Sequence, residues 1–138
     1  MVILEDLKKL TRKWKKTSLE ELAKRKSYKK ERKMLLDKLK RLDKNKKITD
    51  FNKKLIREYV FNYRAHHGFS HQAYILERLM KIARFLNKDF DKIATKDKDS
   101  VLKFIEEKVK LTSKNFFIED FEDFLDWLKQ EKNFKSII

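Results

Sequence analysis

Apolar residues recur along this chain with the period of an α-helix. Ile3, Leu7, Leu10 and Trp14 mark one face at the i, i+4, i+7, i+11 spacing. Leu19, Leu22 and Ala23 start a second stripe, which resumes at Leu35, Leu39 and Leu42. From Lys24 to Lys30 the stripe nearly vanishes, so that stretch has little surface to bury. Thr17 and Ser18 offer N-caps before it, with Glu20 and Glu21 placed for a capping box. Residues 1–48 are therefore predicted to form a hairpin of helices, or one long helix with a weak middle. Asp43 to Lys47 is polar and reads as a connector.

Four further helices are predicted from residue 49 onward, each started by Ser or Thr. Thr49 caps the first, which runs to about His66 with Phe51, Leu55, Tyr59 and Tyr63 on its apolar face. Gly68 stands where a helix end favours a left-handed residue. Ser70 caps the second helix, whose inner face is Ile75, Leu76, Leu79, Ile82, Ala83 and Leu86. After a loop from Asn87 to Ala94, Thr95 starts the third, with Val101, Leu102, Ile105 and Val109 inward. Thr112 or Ser113 caps the last, which carries the cleanest stripe: Phe117, Ile118, Phe121, Phe124, Leu125 and Leu128.

Composition narrows what such a bundle does. The 138 residues contain no proline, no cysteine and one glycine. That removes tight-turn β architectures, disulfides, zinc–thiolate sites, cysteine nucleophiles and Gly-rich phosphate loops. No apolar run approaches a bilayer span, and no segment reads as a signal peptide, so a cytoplasmic location is expected. The 37 Lys and Arg against 22 Asp and Glu give a net charge of +15. Residues 1–50 carry a net +11, residues 51–100 a net +5, and residues 101–138 a net −1. A gradient of that kind favours a specific basic surface and a polyanionic partner, nucleic acid first.

Catalytic chemistry is thin. His66, His67 and His71 cluster, but Gly68 and the Ser70 cap fall between them, which favours polar histidines at a loop over a metal site. The carboxylates Glu119, Asp120, Glu122, Asp123 and Asp126 read as a solvated helix face, with the first two near the helix start. No metal, cofactor, small-molecule substrate or membrane partner is expected. The binding candidates lie at the turn from Tyr63 to Gln72. The helix start at Ser70 presents backbone N–H groups suited to a phosphate. Arg64, Ser70, His71 and Gln72 add donors there, and Gln72 and His71 are candidates to reach base edges. Beyond the cap, Tyr74, Arg78, Lys81, Phe85 and Lys88 form one stripe, with Arg78 and Lys81 placed to follow a phosphate backbone. Lys114 and Asn115 repeat this chemistry at the start of the last helix. Ordinary capping and a solvated face account equally well for the same residues.

The order of these elements resembles the core-binding, SAM-like domain of tyrosine recombinases, the integrase family. The resemblance rests on Gly68 and Ser70; Leu79, Phe85 and Leu86; Ile93 and Thr95; Phe104 and Ile105; Ser113; and Phe121, Phe124, Leu125, Trp127 and Leu128. It departs at Ala73 and Phe116, where the family often has Thr, and at the acidic last helix. It implies an all-α, four-helix SAM-like bundle at residues 49–138; the basic helical arm or hairpin read at residues 1–48 has no clear counterpart in that family. It also implies double-stranded DNA binding as one half of a clamp, with nucleoid association. The family's Arg, His-x-x-Arg and nucleophilic Tyr have no counterpart here, so no catalysis is expected. Residues 1–48 are a candidate contact to other protomers. Two other readings stay open: a helical RNA-binding subunit of a ribonucleoprotein of the CRISPR-effector type, and a helical protein-interaction scaffold.

Overall fold

The computed structural model describes residues 19–64 and 68–134, with side chains from residue 28 onward. Helix α1 spans Leu19–Lys44, and α2 spans Asp50–Glu58 and widens into a π-helical turn at Tyr59–Tyr63. Helix α3 is Phe69–Leu86, followed by a 3-10 turn at Phe90–Lys92. Helices α4 (Thr95–Lys108) and α5 (Leu111–Glu131) complete an all-α bundle, with no strand among the described residues. The predicted face from Ile3 to Trp14 and the caps at Thr17 and Ser18 lie outside the described residues, as do His66 and His67.

Packing follows the periodic stripes. Leu35, Leu39 and Leu42 of α1 are buried, and α1 lies along α3 in the most extensive interface between any two helices. Arg41 and Lys44 place positive charge at the C-terminal end of α1, where the helix dipole favours it. One hydrophobic core runs through both predicted regions, from Leu35 and Ile48 to Leu128. Its centre is aromatic. Phe124 meets Tyr59 and Phe90 edge-on, with ring centroids 5.0 Å apart in both pairs. Edge-to-face pairs of this sort add to the burial of ring area.

Two side chains bind the start of α2 to the loop after α3. Thr49 Oγ1 accepts from the Asn52 N–H at 3.2 Å, the cap its sequence position predicts, and donates to Asp89 Oδ1 at 2.7 Å. Asn52 is buried, donates through Nδ2 to Lys88 O at 2.9 Å, and accepts the Phe90 N–H on Oδ1 at 2.9 Å. Its amide thus pairs with loop backbone as a neighbouring strand would. At the end of α3, Asn87 takes the left-handed conformation (φ 51°). Its N–H closes on Ala83 O at 3.0 Å.

The other helix starts differ from expectation. Gly68 is not a left-handed C-cap; it has φ −64° and ψ 161° and is the N-cap of α3. Its carbonyl accepts the first helical bond, from the Gln72 N–H at 3.0 Å. The helix begins one residue before the predicted cap because Phe69 is drawn into the core, its ring 4.7 Å from that of Tyr28 on α1. Ser70 is therefore inside the first turn. Thr95 is likewise the first residue of α4, after Ala94, whose N–H donates to Asp97 Oδ2 at 2.9 Å. Thr112 and Ser113 lie inside α5, which Lys110 precedes as N-cap. The first of the four predicted helices ends at Tyr63, short of His66, because its last turn is wide.

A serine at position 68 tests this placement. Space around Gly68 is open and its φ suits any residue, so Gly68→Ser adds a side-chain cap and restrains the unfolded chain. Thermal and urea unfolding are expected to show a gain of about 0.5–1 kcal/mol. A loss of stability would mean that position 68 needs a conformation only glycine tolerates.

Candidate nucleic-acid interface

The predicted binding residues divide into two groups that the fold keeps apart. Arg64, Ser70, His71 and Gln72 stand at the N-terminal end of α3. Arg78 and Lys81 line a groove further along α3, where it faces α4 and the start of α5. Lys114 and Asn115 lie in the second turn of α5; neither lines that groove.

The first group is built into the fold. In the wide turn, the Arg64 N–H bonds to Tyr59 O at 2.9 Å, five residues back. Gln72 reaches across from α3, and its Nε2 donates to Val60 O at 3.1 Å and Arg64 O at 3.2 Å. Gln72 is only 4% exposed. It satisfies carbonyls at a helix end and does not present its amide to a base, which corrects its predicted role. Arg64 folds over the Tyr59 and Tyr63 rings, donates from Nε to Tyr59 Oη at 3.1 Å, and pairs with Asp123 at 2.9 Å. Burial raises the Tyr59 hydroxyl to about 12, against the lowering effect of the Arg64 hydrogen bond. Ser70 is half-buried and His71 is exposed.

Charge pairing sorts the remaining candidates. Arg78 pairs with Asp120 and lies between the Tyr74 and Phe116 rings, 5.7 and 5.8 Å from their centroids. Both charged side chains are mostly shielded, at 17% and 13% exposure, so breaking that pair leaves a desolvated charge. Arg64 and Arg78 are thus fold anchors rather than the phosphate anchors their positions predict. Lys81 stands 4.0 Å from Glu77 with both side chains substantially exposed. Such a pair contributes little and exchanges readily for a phosphate. Lys114 pairs with Glu106 at 3.1 Å, and Asn115 is exposed. Lys88 is held by Asp97, whose carboxyl is lowered by the Ala94 N–H and then by Lys88 itself.

The groove beside Arg78 and Lys81 has a volume of about 610 Å³. Three cations missed by the sequence reading border it: Arg84, Lys108 and Lys110. All three are exposed, and none makes an ion pair with a described residue. Arg84 also borders two smaller hollows on the same side, one shared with Lys38 and Arg41, the other with Lys47. The acid in this region is Glu77, which pairs with Lys38 and stays ionised to lower pH because of it. Arg84 was legible in principle, three residues beyond Lys81 on one helix. Lys108 and Lys110 were not, because only the turn between α4 and α5 brings them beside α3.

Among the described residues, no group of three His, Cys, Asp or Glu is placed to hold a metal ion, and no helix is long and apolar enough to cross a membrane. No protein-family model, curated protein or solved structure matches this chain.

The structural role of Gln72 gives a direct measurement. Gln72→Ala leaves buried carbonyls without donors and is expected to lower unfolding stability by about 1–3 kcal/mol. Stability unchanged from the parent chain would make Gln72 a group free to touch a ligand.

Proposed function

We propose that this chain is a non-catalytic nucleic-acid-binding module whose basic groove follows a phosphate backbone. The observation that carries the reading is the run of exposed cations Lys81, Arg84, Lys108 and Lys110 along one groove, three of them without an acidic partner among the described residues. The exposed Arg41 and Lys47 extend the same positive side onto α1 and the connector. A protein surface otherwise scatters charges of both signs, and unpaired cations gathered in a concave strip raise the local concentration of a polyanion. Lys110 also precedes α5, so the positive end of that helix dipole opens beside the groove.

Double-stranded DNA is the proposed partner, in the role of the core-binding half of an integrase-like recombinase. That choice of partner rests on the resemblance of the helix order and core positions, while the groove supports the binding of phosphate by any strand. The site moves relative to the sequence reading. It shifts along α3, away from the turn at Gly68 and toward Arg84.

Lys81→Glu combined with Arg84→Glu is expected to weaken binding to a mixed-sequence duplex of about 20 base pairs. The slope of log K against log salt is expected to flatten by about 0.9 for each phosphate that the protein no longer neutralises. Fluorescence anisotropy over a salt series measures both. Unchanged affinity and unchanged slope would remove this groove from nucleic-acid binding.

A further inference from the structure

Around the groove, large apolar side chains stay in solvent. Tyr74 is 51% exposed, Phe85 41% and Phe116 58%. These rings are interleaved with the cations. Arg78 sits between Tyr74 and Phe116. Phe85 stacks on Phe104 with centroids 4.5 Å apart, and both rings share a hollow with Lys47, Lys81 and Arg84. Along α3 the order at positions 74, 78, 81 and 85 is ring, cation, cation, ring, on one face of the helix.

We infer that this stripe is a binding site for unpaired nucleotides, whose bases stack on the Tyr74/Phe116 and Phe85/Phe104 rings while their phosphates meet Lys81 and Arg84. The inference rests on the nucleic-acid reading above and adds to the duplex a second form of nucleic acid, an unpaired strand, that the same groove takes. Eleven residues of helix separate Tyr74 from Phe85, a rise of about 16 Å. At about 3.4 Å per nucleotide, that spans roughly five stacked bases. A fully paired duplex hides its base faces, so exposed rings contribute nothing to holding it. An unpaired strand offers a π-face with every base and a charge between bases, and aromatic side chains in a cationic groove use both. An amphipathic peptide would need a continuous apolar floor, which Arg78 and Lys81 interrupt here.

The test uses the full chain, a labelled twelve-residue oligothymidylate and a fully paired 20-base-pair duplex, read by fluorescence anisotropy at one salt concentration. Tyr74→Ala and Phe85→Ala are each expected to weaken oligothymidylate binding about tenfold and to leave duplex binding unchanged. Circular dichroism and thermal unfolding of each variant separate lost stacking from lost folding. Phe85→Trp is expected to keep the affinity, with its indole emission quenched when the strand binds. If the alanine variants bind oligothymidylate like the parent while Lys81→Glu with Arg84→Glu still weakens the duplex, this inference fails and the preceding reading stands. If neither probe binds, both fail. Binding of an acidic leucine-bearing peptide with no binding of either the oligothymidylate or the duplex would overturn both in favour of a protein partner.

Discussion

Every other described helix leans on α3, and the bundle depends on that crowding. Nine of its eighteen residues are buried, from Phe69 and Gln72 to Ile82 and Ala83. Ala73 and Ala83 are almost fully enclosed, and their small side chains let neighbouring backbones come close. With α1 on one side, α2 and its wide turn on another, and α4 and α5 beyond, a narrow strip of α3 is left to solvent. That strip carries Tyr74, Lys81, Arg84 and Phe85. The same packing that makes the core therefore selects which residues are able to meet a ligand.

Much of the architecture was legible in the chain. The stripes of α3 and α5 were named almost residue by residue, because apolar positions that recur every three or four residues line up on one side only when the backbone is helical. Thr49 was legible as a cap, since it follows a polar connector and directly precedes a strong stripe. Ser70, Thr95, Thr112 and Ser113 were misplaced by one to three residues. A hydroxyl side chain near a helix start marks the neighbourhood, but the core decides where the first turn closes. Phe69 shows this most clearly, as its burial pulls the helix start past the serine. The π turn left no pattern at all, because Tyr59 and Tyr63 fit an ordinary helical face equally well.

The candidate site was less legible, for an electrostatic reason. Net charge counts cations, yet function depends on which cations lack a partner. The acidic residues of α5 read as a solvated face, and two of them pair with arginines: Asp123, still half exposed, takes Arg64, and the shielded Asp120 takes Arg78. Those pairs join residues 59 and 42 positions apart, a separation no local rule can bridge. The effect is to subtract the two arginines that stood out in the sequence and to leave Arg84, Lys108 and Lys110, which did not. The helical arm changes meaning as well. The described part of α1 lends three leucines to the common core while presenting Arg41 beside the groove and tying Glu77 down with Lys38.

The wide turn after α2 has an optical consequence. It carries the Tyr63 and Tyr59 rings, 5.5 Å apart, as an aromatic column from solvent to the Trp127 indole, which lies 5.2 Å from Tyr59 and 6.1 Å from Tyr63. Lys132 covers the same indole at 5.5 Å. Light absorbed by a phenol at the rim thus has a short path to an emitter inside, so loosening of that end of the bundle changes the colour and strength of the protein's own luminescence.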